Sequence, residues 1–195
     1  MKLVLGSQNA HKARELAAAL PEWEVVPLGL SLPPETGRTF RENARGKALF
    51  ARQHAEPEAW VAGEDSGLEV DGLGGRPGIR SARFAGEGAT DEENVRKLLV
   101  DLADASGAGR SARYVCELVC IGPEGDETAV RGTLSGAIAL EARGGAGFGY
   151  DPVFVAEGET RTVAELGDAW KSEHSHRARA AIELAARLGT RGQAL

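Results

Sequence analysis

Cysteine, lysine and uninterrupted apolar sequence are all scarce in this chain. Only two cysteines occur in 195 residues, Cys116 and Cys120, four apart and with no histidine nearby in sequence. That spacing suits two buried apolar side chains on one strand better than a metal site, and cytosolic thiols stay reduced. No run approaches the roughly 18 apolar residues that a membrane-spanning helix needs. Met1 leads straight into a short strand-like stretch instead of a charged and then apolar leader. The expectation is a soluble, cytoplasmic protein with no membrane partner. Basic residues are outnumbered, 23 against 29 acidic, for a net charge of -6. That balance argues against a surface that tracks a nucleic-acid backbone, whereas a small anionic ligand still fits a locally positive pocket. Lysine stands only at positions 2, 12, 47, 97 and 171, so each one is conspicuous.

What is present reads as one globular domain over residues 1–195. Hydrophobic residues make up 42% and charged residues 27%, enough apolar material to offset the entropy of ordering the chain. Apolar runs predict strands at Lys2 to Leu5, Trp23 to Leu28, Trp60 to Ala62, Tyr114 to Ile121, Leu134 to Leu140 and Val153 to Ala156. Helices fall between them. Apolar residues recur at three and four from Asn9 until Pro21, and a second helix spans Thr39 to about His54. Thr39 with Glu42, Thr90 with Glu93 and Thr162 with Glu165 each fit a T-x-x-E capping box, which fixes three helix starts. The last helix begins near Ser175, buries Ala178, Ile182, Ala185 and Leu188, and ends at Gly189 before a short polar tail. Strand and helix alternate early, and a long hairpin turns around Gly122-Pro123-Glu124-Gly125, so the sheet is mixed.

Five segments carry chemistry. Ser7-Gln8-Asn9-Ala10-His11-Lys12 follows a strand and opens a helix, where a cation opposes the helix dipole unless an anion sits there. Helical N–H groups, the Ser7 hydroxyl, the Asn9 amide and the Lys12 ammonium suit a phosphate; the alternative is an Asn9 cap beside a solvated lysine. It is not a Walker A loop. On the second helix Asn43 and Lys47 share a face. Glu42 is read as a cap partner, and Glu35, in the preceding loop, as the better candidate metal ligand. Glu64-Asp65-Ser66-Gly67 follows an apolar run: adjacent carboxylates repel each other and gain by holding a hard divalent cation. Neighbours on an extended chain diverge, so one of the two faces the site, and Ser66-Gly67 reads as a tight polar corner. Gly147-Phe148-Gly149-Tyr150-Asp151-Pro152 offers close backbone approach and an aromatic face for a base. Lys171 and Ser175-His176-Arg177 place donors near a helix start; the alternative is Ser175 as a simple cap with His176 and Arg177 solvated.

In order along the chain, these segments resemble the inosine triphosphate pyrophosphatase family. The residues carrying the resemblance are Ser7-x-Asn9-x-x-Lys12, Glu35-Thr36-Gly37-x-Thr39-Phe40-x-Glu42-Asn43-Ala44 with Lys47, and Glu64-Asp65-Ser66-Gly67-Leu68. They continue through Leu73-Gly74-Gly75-x-Pro77-Gly78-x-x-Ser81-Ala82-Arg83, Gly147-Phe148-Gly149-Tyr150-Asp151-Pro152-x-Phe154, and Lys171 with Ser175-His176-Arg177. The resemblance implies an α/β fold: an elongated mixed β-sheet with flanking helices and two lobes around a central cleft. It implies a homodimer that uses Mg2+ to hydrolyse ITP, dITP and XTP to the monophosphate and pyrophosphate. It further implies that Ser7, Gln8, Asn9, Ala10, His11 and Lys12 hold the triphosphate, that Lys47 binds phosphate, and that Asp65 is metal ligand and proton acceptor. Ser66 would touch substrate, and Phe148, Gly149, Tyr150, Asp151, Lys171, His176 and Arg177 would recognise the base. Two departures stand out. Glu64 replaces the first of two aspartates found in many bacterial relatives, and Pro34-Glu35 replaces an acidic pair, leaving Glu35 as the upstream metal candidate.

Base choice has a physical basis, because hypoxanthine and xanthine present a 6-oxo acceptor where adenine presents an amino donor. Buried donors from Lys171, His176 and Arg177 would be left unpaired by ATP. Two rival readings remain at this point: a sensor that holds a purine triphosphate without cleaving it, and a house-cleaning pyrophosphatase with another base preference, such as dUTP.

Overall fold

The computed structural model describes residues 1–191. In chain order the strands and helices are β1 (Lys2–Gly6), α1 (Ala10–Ala19), β2 (Glu24–Pro27), α2 (Phe40–His54), β3 (Trp60–Val70), α3 (Asp91–Asp101), β4 (Ser111–Ile121), β5 (Glu127–Ile138), β6 (Phe154–Ala156), α4 (Val163–His174) and α5 (His176–Arg191). The six strands form one mixed sheet in the order β2-β1-β3-β4-β5-β6. β1 pairs in parallel with β2 and with β3, setting Leu3 opposite Val25 and Trp60, and β6 returns antiparallel on β5. The expected mixed sheet with flanking helices is the architecture observed.

Two compact units divide the chain. Among the described residues, one comprises 1–65, 116–132 and 176–191, the other 66–115 and 133–175. In the first unit both faces of the sheet are covered, so β1 is a near-continuous apolar run. Leu3 and Leu5 pack with Ala13 and Leu16 of α1 and Ala181 and Leu184 of α5. Val4, the residue between them, packs with Ala44, Ala48 and Ala51 of α2. In the second unit Leu68 and Val70 pack with Val95 and Leu98 of α3, Tyr114, Leu134 and Phe154. The buried Arg110 guanidinium donates there to the carbonyls of Ile138 and Leu102, each at 2.8 Å, and to that of Ala139.

The helix starts obey local hydrogen bonding. Thr90 with Glu93 and Thr162 with Glu165 form reciprocal capping boxes. At α2 the Thr39 hydroxyl accepts the Glu42 N–H, but the Glu42 carboxylate accepts the N–H of Arg38 at 2.7 Å, one residue outside the box geometry. Glu42 is thus a cap residue.

Three expectations need correction. β3 does not stop at Ala62; it runs on through Gly63–Gly67 to Val70, so Ser66-Gly67 is strand and not a corner. The reason lies outside the strand. A methyl group on Gly63 would overlap the Ala44 carbonyl and the Ala48 amide of α2, and one on Gly6 would come within 2.7 Å of the Lys47 carbonyl. These glycines admit a helix backbone and do not mark turns. Second, α5 continues through Gly189 to Arg191, because Leu184 and Leu188 are buried and one glycine costs a helix only about 1 kcal/mol. The remainder of the expected polar tail lies outside the described residues. Third, Ile182 is 58% exposed; the buried stripe runs through Ala181, Leu184 and Leu188, and Ile182 falls off its edge.

Close approach of α2 yields a paired prediction. Gly63→Ala should lower stability by about 1–3 kcal/mol through overpacking. Gly46→Ala, within α2 itself and with nothing near its added methyl, should raise it by about 0.5–1 kcal/mol. Urea denaturation midpoints check both, and equal shifts for the two variants would contradict the packing described.

Candidate functional site

The first unit concentrates charge around the start of α1, the middle of α2 and the Glu64-Asp65 pair of β3. At α1, Asn9 is the N-cap: its Oδ1 accepts the N–H groups of His11 (2.9 Å) and Lys12 (3.2 Å), while its own N–H donates to the Ser7 hydroxyl. The cap alternative therefore describes the backbone correctly, yet Lys12 is not solvated. Its ammonium lies 2.7 Å from Glu64 Oε2, so the helix-start penalty is met by a protein carboxylate. Ser7 is buried, whereas Gln8, Asn9, Ala10 and His11 are exposed.

α2 approaches β3 closely at Gly63, and this brings Asn43 and Lys47 onto Asp65. Asn43 uses both ends of its amide, accepting the Gly37 N–H at 2.9 Å and donating to Asp65 Oδ2 at 3.1 Å. Lys47 Nζ donates to the Glu64 carbonyl (3.1 Å), reaches Asp65 Oδ1 at 2.9 Å and meets Glu35 Oε1 at 2.5 Å. Two carboxylates from different elements thus converge on one cation. Burial alone would lower the Lys47 pKa, but Asp65 and Glu35 outweigh it and hold the amine protonated. For Asp65, burial raises the pKa and the nearby Glu35 charge adds to it, against the opposing pull of Lys47 and Lys12. A carboxylate shifted this way is a stronger base than a solvated one.

Glu64 diverges from its neighbour, as extended geometry requires. It is 1% exposed; Oε1 accepts from Arg177 Nη2 at 3.0 Å and from the Cys116 thiol at 3.4 Å, leaving Oε2 to Lys12. Arg177 also pairs with Glu15 of α1. Burial would raise the Glu64 pKa, but Lys12 and Arg177 carry it well below the usual carboxylate range, and burial beside Glu64 pushes the Cys116 thiol well up. His176 and Arg177 are both buried at the start of α5, so the reading of them as solvated is corrected: Arg177 answers a buried acid.

The second unit carries a separate group. Asp151 organises it: Oδ2 accepts the Phe148 N–H (2.9 Å) and the Lys171 ammonium (2.7 Å), and Oδ1 accepts the Tyr114 hydroxyl (3.1 Å). Lys171 is 4% exposed and stands 4.3 Å above the Phe148 ring. Gly149 donates to Asp91 of α3 at 2.7 Å, and the Tyr150 hydroxyl donates to the Ser81 carbonyl at 2.8 Å; burial raises the Tyr150 pKa, so this hydroxyl keeps its proton. Ser66 is half-buried on β3. Glu15, Tyr114 and Asp91 join these clusters unforeseen. Glu15 lies one helical turn beyond Lys12, a detectable spacing, whereas nothing local marks Tyr114 or Asp91.

A family model described as the Ham1 family matches residues 3–187. The chain belongs to that family. A dITP/XTP pyrophosphatase of Bdellovibrio bacteriovorus is 44% identical over 187 residues, covering 92% of this chain and 94% of its own length. Among solved structures, the Staphylococcus aureus Ham1 protein superposes with a TM-score of 0.85 at 37% identity, covering 98% of this chain and all of its own. A HAM1 protein from Coxiella burnetii gives 0.86 at 36% identity, covering 97% and 99%. The family resemblance read from the motifs thus holds, and Ham1 proteins share the fold.

The charges make acid stability informative. Glu64 is held below its ordinary value of 4.5, so its contribution is present above that pH and is lost as pH falls through the lower folded value. Asp65, shifted upward, works in the opposite sense. Glu64→Gln should therefore flatten the fall in Tm between pH 5 and pH 2 relative to wild type. Parallel Tm curves for the two proteins would contradict the pairing.

Proposed function

We propose that this Ham1-family chain is a nucleoside triphosphate pyrophosphatase acting on ITP, dITP and XTP, releasing the monophosphate and pyrophosphate. The observation that carries the reading is the convergence of Lys47, Glu35 and Asp65 in the first unit, with Lys12 held by Glu64, the neighbour of Asp65. Two ammonium groups suit a polyphosphate, and a buried basic carboxylate beside them suits the deprotonation of water. A nucleotide sensor has no use for that base. The relatives named dITP/XTP pyrophosphatase support the substrate class.

A hard divalent cation fits the donor set. Glu35 and Asp65 present oxygen atoms to a common point now bridged by Lys47, and burial, with the Glu35 charge adding to it, raises the Asp65 pKa. Among the described residues no group of three His, Cys, Asp or Glu side chains gathers for a metal. That suits Mg2+, which is held by one or two carboxylates and completes its shell with phosphate oxygens and water. Bound there by Asp65 and Glu35, Mg2+ would supply Lewis-acid stabilisation of charge on the phosphates.

In the proposed mechanism Lys12 and Lys47 orient the triphosphate and stabilise charge developing on it. Asp65, oriented by Asn43 and Lys47, takes a proton from water as the water oxygen bonds to the α phosphorus. The bond from that phosphorus to the bridging oxygen breaks, and pyrophosphate leaves with the electron pair. Ser7 and the α1 start assist binding, with Ser66 touching substrate. For the base, Phe148 offers its ring and Lys171 donates to the 6-oxo group, while Asp151 holds that lysine and the turn of Gly149 and Tyr150 in place. His176 and Arg177 complete the family's recognition set in the same proposal. In the same proposal the chain is one domain and acts as a cytoplasmic homodimer.

A substrate panel tests this. Pyrophosphate release should be fastest from ITP, dITP and XTP with Mg2+ and at least about tenfold slower from ATP, whose amino group leaves the donors unpaired. Asp65→Asn should lower kcat by about 100-fold or more. Preference for dUTP would favour the other base specificity, and no release from any triphosphate would favour the sensor. Lys171→Met should compress the ITP to ATP ratio of kcat/KM by about tenfold, and an unchanged ratio would remove Lys171 from base choice.

A further inference from the structure

Glu64 takes no part in the steps above, yet both of its carboxylate oxygens are engaged. A carboxylate this deeply buried is costly unless each oxygen is paired, and an apolar residue of similar volume is often as stable. Its retention beside an apolar core therefore calls for a use. Oε2 holds the Lys12 ammonium at 2.7 Å, and Oε1 holds Arg177 at 3.0 Å and the Cys116 thiol. Arg177 is anchored in turn by Glu15.

Lys12 leaves the first turn of α1, where the helix dipole works against a cation, and Glu64 is the anion that fixes it. The set contains two acids, Glu15 and Glu64, and two bases, Lys12 and Arg177. With Lys12 on a phosphate oxygen, Arg177 and the Cys116 thiol would still hold Glu64 Oε1 in place.

We propose that Glu64 is a positioning residue: it aims the Lys12 ammonium at the polyphosphate, and Arg177 secures Glu64 while Lys12 exchanges between carboxylate and phosphate. This inference rests on the pyrophosphatase reading and extends it to a residue outside the reacting set.

A double-mutant cycle on the full chain decides it, using ITP hydrolysis with saturating Mg2+ for wild type, Glu64→Gln, Lys12→Met and the double variant. Glu64→Gln should lower kcat/KM about 30-fold in the wild-type background and less than about threefold when Lys12 is already methionine. Glu64→Asp, which keeps the charge but shortens the reach, should recover to within about fivefold of wild type. Melting curves confirm that each variant is folded at assay temperature. If Glu64→Gln does not fold, Glu64→Asp replaces it in the cycle, with a loss of about threefold to fivefold expected only where Lys12 is present. A purely structural role would give the same factor in both backgrounds, which overturns the proposal while leaving the pyrophosphatase reading intact; near wild-type activity of Glu64→Gln overturns it equally. A wild-type chain that cleaves no triphosphate overturns both, and the substrate panel alone identifies that case.

Discussion

Glu64 and Asp65 are neighbours on one strand and both are buried, and two carboxylates withdrawn from water side by side destabilise a fold by several kcal/mol each unless cations reach them. Three elements supply those cations. Lys12 comes from α1, Lys47 from α2 and Arg177 from α5. Each is delivered by packing decided elsewhere: α2 comes close because Gly63 and Gly6 present no side chain to it, and α1 and α5 meet over Leu3, Leu5 and Leu184. Pairing therefore links the layers of the first unit alongside its apolar contacts. The same pairing leaves the two carboxylates in different states. Glu64, gripped by two cations, is a fixed anion; Asp65 is shifted upward by burial and by the Glu35 charge, against the pull of Lys47 and Lys12.

In the second unit one carboxylate plays the corresponding organising part. Asp151 accepts a backbone N–H, an ammonium and a phenol, which spends most of its acceptor capacity inside the protein. Its effect is to hold the Lys171 amine over the Phe148 ring, so that a donor and a flat apolar surface are offered together. Discrimination by such an arrangement comes from the cost of a donor left without an acceptor, which exceeds what ring size alone provides.

Much of this was legible in the sequence wherever the physics is local. Thr90, Thr162 and Asn9 cap helices because their side chains reach amides two or three residues on. The scarcity of lysine singled out Lys12, Lys47 and Lys171. Divergence of Glu64 from Asp65 followed from the pleat. What stayed hidden depends on distant chain. Nothing local shows that α2 packs on Gly63, and the strand expected to end at Ala62 runs eight residues further, through the Ser66-Gly67 pair read as a corner. Arg177 reads as solvated until Glu64, 113 residues away in sequence, is found beneath it. Tyr114 looks like one more strand aromatic, and its hydrogen bond to Asp151 has no counterpart in any local pattern.

A structure determined with Mg2+ and an ITP analogue carrying an imido bridge between the α and β phosphorus atoms examines the polyphosphate cradle directly. The expected result has the Lys12 and Lys47 amines on phosphate oxygens, the metal on Asp65 and Glu35, and the hypoxanthine 6-oxo group on Lys171. Phosphates bound away from Lys12 and Lys47, with both amines still on their carboxylates, would contradict it.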